Sequence, residues 1–193
     1  MSEDPISKFI QWQEQARRHQ GILEPTAACL ATAERSGQAH ARIVLVKQAD
    51  ARGFVFYTNL ESNKSREIEA NPKVALCFHW MPLRRQVRIE GHVERVSDAE
   101  ADDYFATRPR ESRIGSWSSK QSKPLASRDE LVRAVAENTK KFEGRDVPRP
   151  DFWSGWRVIP EAIEFWEEGE NRLHDRELYV RKGQGWEASR LYP

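Results

Sequence analysis

Gln86-Val87-Arg88-Ile89-Glu90-Gly91-His92-Val93-Glu94-Arg95-Val96 alternates more cleanly than any other stretch of the chain. Val87, Ile89, Gly91 and Val93 fall on one face; Arg88, Glu90, His92 and Glu94 fall on the other. A period of two marks a strand with one face on a core and the other in water. Runs of similar texture lie on both sides of it. Ala27 to Ala33, Ala41 to Lys47, Gly53 to Asn59 and Lys73 to Trp80 precede it. Gly155 to Ile159, Ala162 to Trp166 and Glu177 to Arg181 follow it, with Trp186 to Leu191 as a candidate last strand. Strands joined by short connections favour an antiparallel sheet closing toward a barrel over a doubly wound sheet.

Helices flank these strands. Asp4-Pro5 is an N-cap acceptor followed by proline at the first helical position, with Ile6, Phe9 and Ile10 at helical spacing and Gly21 as the stop. Ser62 to Ala70 is polar with helical character, and Ser97 caps a helix running to Phe105. Ser127-Arg128-Asp129-Glu130 is a capping-box pattern ahead of Leu131, Val132, Val135 and Phe142. The reading is a single, mainly β domain with flanking α-helices: a helix in 1–22, barrel strands in 26–96, a helical and anion-binding segment in 97–142, and closing strands in 154–193.

The chain has 193 residues, with 31 Lys+Arg against 30 Asp+Glu and a net charge of +1. That balance argues against bulk electrostatic binding to nucleic acid or an anionic membrane. Its 7 Trp, 8 Phe and 4 Tyr are too much aromatic mass for a disordered polymer. No apolar run approaches the roughly 18 residues of a membrane span. The N-terminus has acids where a signal peptide has basic residues, so the expected compartment is the cytoplasm. Cys29 and Cys77 sit in apolar runs and read as buried thiols, without metal-ligand spacing.

Charge is uneven in three places. Tyr104 to Arg128 holds Arg108, Arg110, Arg113, Lys120, Lys123 and Arg128 against Glu111, interleaved with hydroxyls and the amide of Gln121. Guanidinium forks with hydroxyl donors suit phosphate oxygens; a solvated basic loop is the bland alternative. Arg42 to Lys47 brackets an apolar strand with two cations that strict alternation sends to opposite faces. Lys64 stands at a helix start, where backbone N–H groups favour anions. Arg172-Leu173-His174-Asp175-Arg176 sets a histidine between two arginines. No nucleophile elbow, Walker A, dinucleotide fingerprint or zinc-protease motif occurs.

In this order, Arg42-Ile43-Val44-Leu45-Val46-Lys47, Phe56-Tyr57-Thr58-Asn59, Arg85-Gln86-Val87, Tyr104-Phe105 with Arg108-Pro109-Arg110, Ser119-Lys120-Gln121-Ser122, Ile163-Glu164-Phe165-Trp166 and Arg172-Leu173-His174-Asp175-Arg176 resemble the pyridoxamine 5′-phosphate oxidase family. The likeness runs from about Asp4 to Pro193. It implies a split β-barrel homodimer with FMN at the subunit interface. It also implies oxidation of pyridoxine or pyridoxamine 5′-phosphate to pyridoxal 5′-phosphate, with O2 reoxidising the flavin to H2O2.

Carried over by residue, Arg42, Ile43, Val44, Leu45, Val46 and Lys47 would run along the flavin, with Arg42 and Lys64 on its phosphate. Tyr57, Thr58, Gln86, Gln121, Ser122, Trp166 and Arg176 match the other FMN contacts. Lys47, Tyr104, Arg108 and Ser112 match the substrate-phosphate site, and Arg172 and His174 match the catalytic pair at the substrate ring. Asn63 stands where the family usually has arginine, implying a looser hold on FMN. Nothing ahead of the first helix matches the basic, tyrosine-containing arm of many members, so a more open substrate site is expected. Two alternatives stay open: a phenazine-pathway type oxidase, and a non-catalytic FMN or pyridoxal-phosphate carrier.

Overall fold

The computed structural model describes residues 4–193, so the first three positions of the expected N-terminal segment lie outside it. Helix α1 (Pro5–Arg18) leads into strands β1 (Ala27–Ala33), β2 (Ala39–Asp50) and β3 (Gly53–Asn59). Helix α2 (Asn63–Ala70) precedes β4 (Lys73–Trp80) and β5 (Arg85–Arg95). Helices α3 (Asp98–Thr107), α4 (Arg110–Ser118) and α5 (Arg128–Lys141) come next, then β6 (Trp153–Glu167), β7 (Asp175–Lys182) and β8 (Gly185–Arg190).

All strand pairs are antiparallel, in the order β3-β2-β1-β4-β5-β6-β7-β8. β3 also pairs with β6, which closes six strands into a barrel and leaves β7 and β8 as a hairpin on its flank. The alternation of β5 holds: Val87, Ile89, Gly91 and Val93 are buried, while Arg88, Glu90, His92 and Glu94 are exposed. Leu30, Phe56, Leu76 and Ile163 fill the barrel beside them. Phe9 of α1 plugs it, its ring edge-on to Phe54 and Phe78 with centroids 4.9 Å apart. That helix starts as expected, with Asp4 accepting from the Ser7 N–H and proline at the first position.

β6 departs from the sequence reading, which broke it into two strands. It is one strand of 15 residues, and Glu161 is an extra residue in its ladder with β5: Gly91 faces Pro160 and Glu90 faces Ala162. The bulge shifts the side-chain parity, so Trp156 and Val158 point into the core before it, and Ile163 and Phe165 after it. Proline has no N–H to donate and is tolerated at such an irregularity. The carbonyls next to it crowd two glycines. A Cβ on Gly91 would lie 2.0 Å from the Ile159 oxygen, and one on Gly53 would lie 2.1 Å from the Val158 oxygen.

The basic stretch contains a helix, α4, that composition did not reveal. Its apolar residues Ile114 and Trp117 pack with Phe142 and Val147 into a small core separate from that of the barrel. α5 itself starts at the expected Ser127 cap, but Val132 and Val135 are exposed and only Phe142, just beyond its end, is buried. Cys29 and Cys77 are half-buried and unbridged, facing each other across β1 and β4. No helix among the described residues is long and apolar enough to cross a membrane.

Gly91→Ala should destabilise the fold by about 3 kcal/mol, because the new methyl group overpacks a backbone carbonyl that cannot move aside. A urea titration measures it. An unchanged midpoint would mean that the β5–β6 ladder yields at the bulge.

Candidate functional site

A cavity of about 550 Å³ opens between β2, the end of β3, and helices α2, α3 and α4. β2 lines it with Ile43, Val44, Leu45 and Lys47. β3 contributes Tyr57 and Thr58, and α2 contributes Lys64 from its first turn. Tyr104 comes from α3, Arg108 from its C-cap, Ser112 from the first turn of α4, and Gln121 from the connection to α5. The two basic regions noted in the sequence therefore share one cavity.

Two of its cations, Lys64 and Arg108, have no ion-pair partner among the described residues. Lys64 donates to Gln121 Oε1 at 2.7 Å, and to the Thr58 and Ser62 hydroxyls at 3.2 Å, all neutral acceptors. Burial, assisted by the Arg42 charge, lowers its pKa to about 8. Arg108 donates to the Ser116 hydroxyl at 2.7 Å, and burial lowers its pKa as well. Among the described residues no carboxylate pairs with either. Helix α4 has no side-chain cap, and its N-cap Pro109 and first-turn Ser112 line the cavity. Unpaired cations beside an uncapped helix start make an anion site. Tyr57 and Tyr104 stack on one wall, centroids 4.0 Å apart; burial pushes the Tyr57 hydroxyl up to about 12 and raises that of Tyr104, so both phenols remain donors.

Several expected residues lie elsewhere. Val46 points into the core. Arg42 is on the other face of β2, where it pairs with Glu67 at 2.8 Å and bonds Thr32. Asn63 accepts from Arg66 and borders a second pocket of about 500 Å³ with His40 and Glu67. Glu34, His40 and Glu67 hold their ligand-type atoms within 4.8 Å of one another, but Glu67 is already committed to Arg42 and Thr32. Ser122 is exposed in a left-handed turn, φ 69°.

Gln86, Trp166 and Arg176 form one row across β5, β6 and β7, on the outer face of the sheet. Trp166 and Tyr57 thus flank opposite ends of β6, since Tyr57 faces Gly155. Beyond Trp166 a tight loop carries Arg172 and His174. Asn171 and Arg172 both have left-handed backbones, φ 53° and 65°, a strain that concentrates at working sites. A Cβ at Gly169 would lie 1.9 Å from the Leu173 oxygen, so only glycine closes the loop. The Gly169 N–H donates to His174 Nδ1 at 3.3 Å, which puts the proton of the neutral ring on Nε2. The His174 ring leans on Trp166, centroids 4.6 Å apart.

Residues 15–141 match the model of the pyridoxamine 5′-phosphate oxidase family, and residues 153–193 that of the pyridoxine 5′-phosphate oxidase C-terminal dimerisation region. The chain belongs to this family. It is accordingly an oxidoreductase with FMN as cofactor. A pyridoxine/pyridoxamine 5′-phosphate oxidase from Rubrobacter xylanophilus is 59% identical over 98% of this chain and 87% of its own length. One from Myxococcus xanthus is 54% identical over 98% and 92%. Among solved structures, PhzG from Burkholderia lata 383, in complex with tetrahydrophenazine-1-carboxylic acid, superposes with a TM-score of 0.93 at 30% identity, covering 100% of this chain and 94% of that one. An FMN-binding protein from Nostoc punctiforme shares the fold, with a TM-score of 0.80 at 17% identity and full coverage of both chains. The donor set fits the phosphate of FMN: Lys64 is a half-buried cation whose hydrogen-bond acceptors are all neutral.

Sulfate, whose charge is constant near neutrality, should bind this cavity in the cofactor-free protein. Lys64 is charged below pH 8 and loses its proton above it; a bound anion restores the proton. Affinity should therefore be flat below about pH 8 and fall toward tenfold per pH unit above it. Calorimetry at several pH values checks this. Lys64→Met should bind more weakly, with no fall above pH 8.

Proposed function

We propose that this enzyme oxidises pyridoxine or pyridoxamine 5′-phosphate to pyridoxal 5′-phosphate as a homodimer. The observation that carries the reading is the cavity lined by three half-buried cations, Lys47, Lys64 and Arg108, and by no carboxylate. Both the cofactor and the substrate bring a phosphate. Lys64, with Thr58 and Gln121, would hold that of FMN; Lys47, Tyr104, Arg108 and Ser112 would hold that of the substrate. The Arg42 charge is balanced by Glu67, so Arg42 would steady the strand and shape the field while Lys64 takes the larger share of the anion. Each charge-assisted bond contributes about 1.5–3 kcal/mol.

When bound, FMN accepts a hydride from C4′ of the substrate and passes the electrons to O2, giving H2O2. The protein supplies position. Anchoring the substrate at its phosphate and its ring removes most of its freedom, the main source of rate that such a site offers. His174 would offer Nε2–H as a donor, and the strained backbone at Arg172 would present its guanidinium from the loop tip. Among the described residues no strong base is poised at the cavity, and hydride transfer from an oriented alcohol or amine does not demand one, because the acidic proton left on the product passes to solvent.

Placement supports the dimer. The cavity lies at β2, whereas Gln86, Trp166, Arg176 and the Arg172–His174 loop lie at β5 to β7, all reached from the outside of the sheet. Ile43 and Leu45 are exposed on that outer face, next to half-buried Cys29 and Cys77. A two-fold contact there would cover the apolar patch and set the cavity of one protomer against the loop of its partner. A phenazine-type substrate would leave Lys47, Arg108 and Ser112 without a phosphate.

Anaerobic mixing with pyridoxine 5′-phosphate should bleach the flavin absorbance, and air should restore it; a flavin that stays oxidised would overturn the reading. Arg172→Leu and His174→Ala should each keep FMN and lower kcat/KM by about ten- to a hundred-fold. A folded but colourless variant would instead place that residue on the cofactor. Sedimentation should give a dimer; a monomer that retains FMN and activity would refute the shared site.

A further inference from the structure

Arg108 occupies a demanding position. It is the C-cap of α3 and precedes Pro109, the N-cap of α4, so the proline restricts its backbone to an extended conformation. Its side chain has three neutral contacts, the farthest of them the Phe105 ring, 5.4 Å from the guanidinium carbon. Nη1 donates to Ser116 Oγ at 2.7 Å, and the guanidinium carbon lies 4.9 Å from the centre of the Trp153 ring. Ser116 in turn donates to the Ser112 carbonyl at 3.1 Å, one turn back on α4.

Trp153 is itself immobilised. Its ring lies nearly parallel to Tyr57, centroids 5.4 Å apart at 6°, and edge-on to Phe105 at 4.9 Å. Its carbonyl accepts from Arg149, which also pairs with Asp98 and Asp102 of α3. The tryptophan is only 6% exposed. A carboxylate would orient Arg108 equally well but would cancel its charge. A ring face and a hydroxyl restrict the rotamers and leave the cation whole.

We infer that Trp153 and Ser116 are positioning residues that hold the Arg108 guanidinium toward the cavity and so set how tightly the substrate phosphate is bound. This rests on the assignment of Arg108 to that phosphate. The test uses the FMN-loaded enzyme. KM and kcat for pyridoxine 5′-phosphate, the inhibition constant of inorganic phosphate, and the FMN dissociation constant are measured for Ser116→Ala, Trp153→Leu, Trp153→Phe and Arg108→Leu. In Ser116→Ala and Trp153→Leu, KM and the phosphate inhibition constant should both rise about tenfold, with kcat and FMN affinity within twofold. Trp153→Phe, which keeps a ring face, should recover most of the loss.

If Ser116→Ala and Trp153→Leu lower kcat or FMN affinity while phosphate inhibition is unchanged, they act only structurally and the inference fails. Ser116→Ala removes one hydroxyl from a partly exposed position, so it decides the matter even if Trp153→Leu does not fold. If Arg108→Leu itself leaves phosphate inhibition unchanged, the assignment of Arg108 is at fault, and the inference falls with it.

Discussion

The side-chain period of a strand is two, so a regular strand of 15 residues keeps the same alternate positions on the core throughout. β6 must do otherwise, because it has two different neighbours on one edge. Its first half pairs with β3 and closes the barrel; its second half pairs with β7 and carries the hairpin. The extra residue at Glu161 resolves this by moving the inward positions from Trp156 and Val158 to Ile163 and Phe165. Without that shift, Ile163 and Phe165 would face outward, and Glu164 and Trp166 would face the core. The bulge depends on Gly53 and Gly91, where the carbonyls of Val158 and Ile159 leave no room for a Cβ. Arg181 of β7 donates to the Pro160 carbonyl at 3.2 Å, binding the hairpin to the irregularity.

The same strand sets the chemistry apart in space. At its start, Trp153 stands beside Tyr57, Tyr104 and Arg108 at the cavity. At its end, Trp166 stands in the row with Gln86 and Arg176 and against His174. One buried carboxylate, Glu164, anchors that second end by pairing with Arg88 at 3.1 Å and Arg176 at 2.8 Å. A buried acid between two arginines fixes the orientation of both, and removing it would leave like charges facing each other across the sheet. Two rigid stations on one strand, the cavity at one end and the Arg172–His174 loop at the other, fit the proposed assembly of one site from two copies.

Much of the fold could be read from local patterns because local physics determines it. The alternation of β5, the Asp4-Pro5 start and the Ser97 capping box each state their structure within a few residues. β6 was misread because Pro160 removes a ladder donor and the apolar parity changes across it, which is how a strand end looks in sequence. α4 was missed because it begins without a capping side chain and buries only Ile114 and Ser118. Both errors are long-range: the partner that rescues each element lies far away in the chain.

The site was legible to a similar depth. Residue types suggested anion binding at Lys64 and at Arg108, but not that the two share one cavity, nor that Arg42 is balanced by Glu67. Ser116 was one of several hydroxyls interleaved in the basic stretch, and Trp153 carried no signal. A serine in a polar helix and a tryptophan at a strand start are ordinary, and their part emerges only from the arginine they contact. A cation that must bind an anion in competition with water gains more from neutral restraint than from an acid partner. The pattern recurs within this molecule, at Lys64 with its amide and two hydroxyls and at Arg108 with its hydroxyl and ring. Two arginines outside the cavity show the opposite solution. Arg157, almost wholly buried, is neutralised by Asp50 and Glu100, and Arg149 by Asp98 and Asp102. At these positions acids go to arginines that hold the protein together, while Lys64 and Arg108 are restrained without an ion-pair partner.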